Sequence, residues 1–291
     1  MSWKRNPSRL LQHVRKYGVG VAASSVAVVG ICIYVNKNNN FKVIASWTNL
    51  SEQLEYPKIK WDNNWDRRDP KLLVKPVKDE NNNNNVNDED IKKKTPTATR
   101  HIILIRHGQY NLKGKTQKEK YLTDLGRKQS DLTGARLKDL NFPYTRLVSS
   151  MKTRAVETCD LIHKFLPDLT VERSDLLNEG FPIPPEPPGD WRPKDYLFYQ
   201  DGPRIEAAFR QYIHRATPEQ KTDSYEIIVC HGMVIGYFVC RALQFPPDGW
   251  IRFTSSLAHG SLTWLTVPPS GRVSLRCFGD TGFMQSNQIT Y

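Results

Sequence analysis

The feature that most constrains this fold is an alternation of two hydrophobic periods from Thr97 to the C-terminus. His101–Ile105 is a short apolar run of strand type, and Thr123–Leu140 carries Leu125, Leu132, Ala135 and Leu137 at helical spacing. Arg146–Ser149 is again strand-like, and Thr153–Leu166 sets Ala155, Val156, Cys159, Ile162 and Phe165 on one helical side. The Pro-rich stretch Phe181–Trp191 has to be loop. Arg204–Ala216 then reads as a helix, Tyr225–Cys230 as a strand and Met233–Leu243 as an apolar helix. Ser261–Val267 and Val273–Phe278 read as strands flanking a turn at Pro268–Gly271. Such alternation predicts an α/β domain with a mostly parallel central sheet and helices on both faces. In sheets of this kind ligands collect at the carboxyl ends of strands, so chemistry is expected in the residues just after each strand.

The chain upstream is organised differently. Residues 1–16 form a basic segment with Lys4, Arg5, Arg9, Arg15 and Lys16 and no acid. Tyr17–Val35 carries no charge, is rich in Val, Ala, Gly and Ile, and is just long enough to cross a bilayer core as a helix. A cleaved secretory signal, a mitochondrial address doubling as an anchor and a buried soluble helix all compete for this stretch. The unbroken apolar run and its acid-free basic flank favour a transmembrane anchor, residues 17–35. Residues 36–96 read as a linker, with a low-complexity run at Asp79–Lys94 that includes Asn81–Asn85, and the folded domain is placed at 97–291. The five cysteines (Cys32, Cys159, Cys230, Cys240, Cys277) are scattered without a CxxC pair, which argues for free thiols in a reducing compartment. The formal charge of +12 suits an anionic surface or a phosphorylated substrate. Without a zinc-finger spacing or another nucleic-acid motif, no nucleic-acid partner is expected.

Three strand ends carry basic groups beside a turn. Arg106-His107-Gly108 follows the first strand, where an arginine can fork onto phosphate oxygens and a histidine can be neutral and nucleophilic near pH 7. Arg154 stands at the start of a helix, where backbone N–H groups already favour an anion. His231-Gly232 follows the strand Tyr225–Cys230. Each feature alone is weak: a surface Arg and His, a solvated first-turn Arg, a core His. Their joint placement is far less expected by chance.

Together with Leu122-Thr123-x-x-Gly126-x-x-Gln129, Ser149-Ser150 and Thr153-Arg154-Ala155-x-Glu157-Thr158, these residues resemble the histidine phosphatase (phosphoglycerate mutase-like) superfamily over residues 97–291. Trp61-Asp62-Asn63-Asn64-Trp65-Asp66 is similar to the WDxNWD motif of the phosphoglycerate mutase member 5 family. Asn178–Pro188 and Gly279–Met284 are similar to that family's loop and tail. The resemblance implies a mitochondrial serine/threonine protein phosphatase, single-pass in a mitochondrial membrane with the outer favoured, without mutase activity. It implies that His107 accepts the phosphoryl group, that Arg106, Arg154 and His231 hold its oxygens, and that no metal or cofactor is needed. Glu179, just before the Pro-rich loop, is the candidate general acid; a surface carboxylate is the plain alternative. The resemblance further implies a homo-oligomer built through Trp61, Asp62, Asn64, Trp65 and Asp66, and phosphorylated Ser/Thr proteins, including kinases of the apoptosis signal-regulating type, as partners. If helical, Trp61–Asp66 would place its two tryptophans on one face, exposed for a protein contact. A small-molecule phosphatase or mutase, and a weakly active scaffold, are the competing functions. This chain departs from the family where Gly108 replaces Ser, as in the wider superfamily, and where Gly232-Met233-Val234-Ile235-Gly236 replaces Ala-Asn-Val-Ile-Arg.

Overall fold

The computed structural model describes residues 32–35, 41–44, 60–78, 84–85, 87–188 and 193–291. The chain divides into two compact units, Met1–Lys60 and Trp61–Tyr291. In the first, β1 (Cys32–Val35) pairs antiparallel with β2 (Phe41–Ile44). The expected membrane helix therefore falls mostly outside the described residues, and its last four residues form a strand instead. Among the described residues no helix is long and apolar enough to cross a membrane.

The second unit opens with α1 (Pro70–Leu73), the short pair β3 (Val77–Lys78) and β4 (Asn84–Asn85), and α2 (Asp88–Lys94). It continues through β5 (Arg100–Arg106), α3 (Asp124–Leu140), β6 (Tyr144–Ser150), α4 (Thr153–His163) and β7 (Val171–Ser174). Then follow α5 (Tyr196–Tyr212), β8 (Ser224–Cys230), α6 (Gly232–Ala242), α7 (Trp250–Thr254), β9 (Leu262–Val267) and β10 (Ser274–Asp280). Six strands form one sheet in the order β10, β9, β5, β8, β6, β7. The pairs β5–β8, β8–β6 and β6–β7 are parallel, while β9 runs antiparallel to both β5 and β10. The sheet is thus mixed: Gly271, at φ +76°, closes a tight turn onto the Pro268 carbonyl (2.9 Å), so β10 returns beside β9 without a crossover helix.

Alternate residues of β5 serve opposite faces, as strand geometry requires. Ile102 and Leu104 join a core with Ile205, Phe209 and Tyr212 of α5, Val234 and Phe238 of α6, and Trp250 of α7. Ile103 and Ile105 pack with Leu137 of α3 and Ala155, Cys159 and Ile162 of α4.

The compact unit begins at Trp61 rather than near Thr97. Trp65 is 4% exposed, donates from Nε1 to the Gly271 carbonyl (2.8 Å) and tilts against Phe209. Asp66 forms a buried ion pair with Arg215 at 2.8 Å. The segment is a series of turns, not a helix: the Trp65 N–H reaches the Asp62 carbonyl, and Arg67 sits at φ 59°. The expected exposed Trp face is therefore replaced by docking onto this chain's own core, with Trp61 half-buried against it. Val267, just before the Gly271 turn, pairs with Arg100 at the start of β5, so this docking lies at the pole where β5 begins. Within the low-complexity run, Asp88–Lys94 is a helix and not loop. Asn87 caps it, acids fill its first turn and lysines its last, which matches the helix dipole.

Candidate active site

The carboxyl ends of β5, β6 and β8 lie side by side, and each delivers one part of a single site. His107 leaves β5 with its N–H on the Cys230 carbonyl (3.1 Å), which ties it to the end of β8. The rings of His107 and His231 are 5.0 Å apart. Arg154, on the first turn of α4, donates from Nε to His107 Nε2 at 3.0 Å. Arg106, His107, Arg154 and His231 are thus brought together as the sequence predicts. Gly108 completes the turn: its N–H donates to Thr158 Oγ1 (3.0 Å), whose hydroxyl donates to the Arg154 carbonyl (2.8 Å). One side chain of α4 therefore ties the His107 turn to the helix that carries Arg154.

The surroundings fix the state of His107. It is buried, and its Nδ1 lies 2.8 Å from the Gly108 carbonyl, an acceptor only, so Nδ1 carries the proton. Nε2 is left with its lone pair, facing the Arg154 guanidinium. Burial first, then His231 and Arg154, push the His107 pKa well below its ordinary value, so the ring is neutral at pH 7. His231 is likewise buried and driven well down, by burial and then by Arg154. Its Nε2 lies 2.8 Å from Ser150 Oγ.

Glu179 closes the site from the segment after β7. Its Oε2 lies 3.8 Å from His231 Nδ1, too far for a hydrogen bond. Burial pushes its carboxyl up to about 7, although Arg154, Arg106 and the backbone N–H groups of Gly180 and Met233 pull the other way. A carboxyl at that value is half protonated near neutral pH and can serve as either acid or base. Arg106 is anchored through Nη1 to the Leu257 carbonyl and through Nη2 to His259 Nε2 (3.3 Å). Its Nε, together with Glu179 Oε1 and His231 Nδ1, is buried without a protein hydrogen-bond partner. Unpaired buried polar atoms are costly, and a polar ligand would relieve that cost.

His107, Glu179 and His231 offer ligand atoms within 4.8 Å of one another, a spacing that could hold a metal ion. Arg106 and Arg154 stand beside them, however, and two guanidiniums repel a cation and attract an anion. The donor set fits a phosphoryl group better than a metal.

Several neighbours were not singled out in the sequence. His259 lies 5.6 Å from His107, ring to ring; burial and then Arg106 pull its pKa to about 3, so it is a neutral acceptor that steers Arg106. Its Nδ1 is held by Thr290, near the chain's end. Tyr110 lies edge-on to His107 (5.1 Å) and beneath Arg154 (4.6 Å, a cation–π contact). Ser150 links His231 to Asn178 Oδ1 (2.9 Å). His259 follows a loop and not a strand, so strand-end reasoning passes over it; Tyr110 is only three residues beyond His107 and could have been read as part of the turn.

The departures from the family pattern have local reasons. A Cβ on Gly236 would lie 2.6 Å from Thr254 Oγ1 and 2.7 Å from the Trp250 carbonyl, because α7 packs directly on α6 there. No side chain, and so no arginine, fits that position in this packing. Met233 contributes its backbone N–H to Glu179, a contact that does not depend on its side chain.

Residues 102–181 match the histidine phosphatase superfamily (branch 1). The mitochondrial serine/threonine-protein phosphatase PGAM5 of Xenopus laevis is 53% identical over 235 residues, 79% of this chain and 83% of that protein. The mitochondrial serine/threonine-protein phosphatase Pgam5 of Drosophila pseudoobscura pseudoobscura is 47% identical over 89% of this chain and 91% of its own length. A crystal structure of phosphoglycerate mutase from Plasmodium falciparum is 34% identical over 63% of this chain and 92% of that one, with a TM-score of 0.46. With two histidines and two arginines gathered at the strand ends, and with the identity to the PGAM5 relatives, the chain belongs to the PGAM5 family of the histidine phosphatase superfamily.

Proposed function

We propose that this protein is a mitochondrial serine/threonine protein phosphatase that works through a phosphohistidine on His107. The observation that carries this reading is the pairing of His107: a proton held on Nδ1 by the Gly108 carbonyl, and an unprotonated Nε2 whose lone pair accepts from Arg154 Nε until a phosphoryl oxygen takes over that N–H. In the first step Nε2 forms a bond to phosphorus while the bond to the seryl or threonyl oxygen breaks. Arg154 and Arg106 follow the charge on the equatorial oxygens, and His231 faces the third. Protonated Glu179 gives its proton to the leaving oxygen. Water then attacks the phosphohistidine, Glu179 takes up the water's proton, and inorganic phosphate leaves with His107 restored. Positioning and electrostatics supply most of what phosphoryl transfer needs.

The substrates are phosphorylated Ser/Thr proteins, with kinases of the apoptosis signal-regulating type among the partners, and the chain lacks mutase activity. Residues 17–35 hold it at a mitochondrial membrane, the outer in preference to the inner. Trp61, Asp62, Asn64, Trp65 and Asp66 support a homo-oligomer; since Trp65 is a core residue, assembly through this segment is tested at half-buried Trp61, whose Nε1 has no partner. Trp61→Ala is expected to sediment as a smaller species, and an unchanged profile counts against the oligomer. Catalysis is tested by comparing a phosphothreonine peptide with bisphosphoglycerate. The wild-type chain should hydrolyse the peptide, His107→Ala should lose that activity by at least about 10⁴-fold, as nucleophile removal does elsewhere, and neither should interconvert phosphoglycerates. Persistent hydrolysis by His107→Ala would refute the nucleophile, and mutase turnover would move the reading to a small-molecule enzyme.

A further inference from the structure

One arginine grips the edge of the site without entering it. Arg204 lies on α5, and its guanidinium spans the segment that ends in Glu179. Nη1 donates to the carbonyls of Leu176 (2.8 Å) and Asn178 (2.7 Å), and lies 3.5 Å from that of Asp175. Nη2 reaches the Glu179 carbonyl (3.4 Å) and Asp201 Oδ1 (3.2 Å). Asp201, one helical turn earlier, accepts the Phe181 N–H on Oδ2 (3.2 Å). The 3-10 turn Asp175–Leu177 closes one backbone bond, Asn178 N–H to the Asp175 carbonyl (3.0 Å), and no strand or helix follows it before the Pro-rich loop, so Arg204 supplies donors to the Leu176 and Asn178 carbonyls. Gly180 records how closely the two meet: a Cβ there would lie 2.4 Å from Asp201 Cγ and 2.6 Å from Arg204 Nη2.

A planar fork of several N–H donors can hold successive carbonyls at once; an ammonium cannot. Among the described residues no side chain donates a hydrogen bond to Glu179 Oε1, so the aim of the carboxyl is set by its backbone and by the N–H groups of Gly180 and Met233. We propose that the Asp201–Arg204 pair is a clasp that aims Glu179 at the leaving oxygen, which makes Arg204 a positioning residue for proton transfer. This rests on the reading of Glu179 as the general acid.

The chemistry provides a test that general destabilisation would not mimic. A threonyl alkoxide must be protonated as it leaves, whereas a p-nitrophenolate leaves without help near neutral pH. The full chain is assayed on a phosphothreonine peptide and on p-nitrophenyl phosphate, and the ratio of the two kcat/KM values is read, because kcat/KM reports the first transfer and not the shared hydrolysis of the phosphohistidine. Arg204→Lys, which keeps the charge and loses the fork, should lower that ratio at least about tenfold, a fraction of what general acid catalysis contributes. Asp201→Asn should lower it in the same direction by less, and gives the same readout if Arg204→Lys does not fold. An unchanged ratio, whether both activities persist or fall together, overturns the clasp. Glu179→Gln runs alongside: if it lowers the ratio and the clasp variants do not, the clasp alone is refuted. If Glu179→Gln leaves the ratio unchanged, the general-acid reading fails and the clasp falls with it.

Discussion

At the scale of single residues, neighbours set opposite protonation preferences for the members of the site, as the proposed phosphatase chemistry requires. His107 is kept neutral by burial, with His231 and Arg154 adding to the effect, while burial raises Glu179 until it holds a proton near neutrality. A group that must donate its proton loses function as pH rises through its pKa. Hydrolysis of a phosphothreonine peptide should therefore fall as pH rises through about 7, the value set by Glu179, and the fall should be absent with p-nitrophenyl phosphate. In Glu179→Gln the fall should vanish and the peptide activity should drop by about 10²-fold or more. A profile that is flat through neutrality in the wild type would remove Glu179 from the role. Gly126 allows a second check. A Cβ there would lie 1.9 Å from the Gln109 carbonyl, in the turn after His107. Gly126→Ala should cost about 1–3 kcal/mol in stability and reduce kcat through displacement of that turn; wild-type values for both would show that the contact is not tight.

At the scale of elements, the segment at Trp61–Asp66 behaves as part of the core. Burial alone would raise the Asp66 pKa, but hydrogen bonds and charge from Arg215 more than offset it, so the carboxyl is held below its usual range. Removing one partner of such a pair leaves an uncompensated buried charge, so Asp66→Ala should lose about 3–5 kcal/mol. Trp65→Ala should lose a similar amount, about 3–5 kcal/mol, by opening a cavity beside Phe209. Urea unfolding measures both, and losses under about 1 kcal/mol would mean that the segment is only loosely attached. This docking was not legible in the sequence because the interaction is long-range: Trp65 finds Gly271 and Asp66 finds Arg215, partners that no local period announces. The strands were legible, with β5, β8 and β9 close to where apolar runs predict them, because each carries a buried apolar stretch: Ile102–Ile105 in β5, Ile227–Cys230 in β8, and Leu262, Leu265 and Val267 in β9. Helix α3 lies where the spacing predicts it and buries Leu137 as expected, but the rest of its buried face differs. Gly126, Gln129, Ser130, Thr133 and Gly134 are buried, not Leu125 or Leu132, because Gln129 and Thr133 hydrogen-bond the site turn, Gly260 and the C-terminal tail. Helix α5 starts eight residues before the expected Arg204, running through Pro203; the proline's i−4 carbonyl belongs to Tyr199, 82% exposed, so water can satisfy it. Strand β7 is an edge strand with two exposed central residues and left no apolar run to read. The site itself was more legible than the fold's edges, since His107, Arg154 and His231 each follow a strand, whereas His259 and Arg204 act from a loop and from within a helix.

At the scale of the whole molecule, the folded unit depends on histidines that stay neutral. His107, His231 and His259 are buried with depressed pKa values. In the unfolded chain each takes up a proton near pH 6.5, while the native forms do not. Their contribution is therefore lost as pH falls below about 6.5, by about 1.4 kcal/mol per pH unit for each unmatched proton. Glu179 opposes this in the same window, since its raised value lets the native state bind a proton first, but His101 and His214 are depressed by burial as well, so one group faces five. The melting temperature should fall steadily between pH 6.5 and about 4, and a flat profile would show that these rings are reached by solvent. Above this stands the claim that one neutral imidazole receives the phosphoryl group. The direct measurement is rapid-quench turnover of a phosphothreonine peptide carrying labelled phosphate. The protein should show a burst of bound label that is labile in acid, stable in alkali, located on His107 by peptide mapping and missing from His107→Ala. Turnover at the wild-type rate with no protein-bound label, or with label on another residue, would contradict the account.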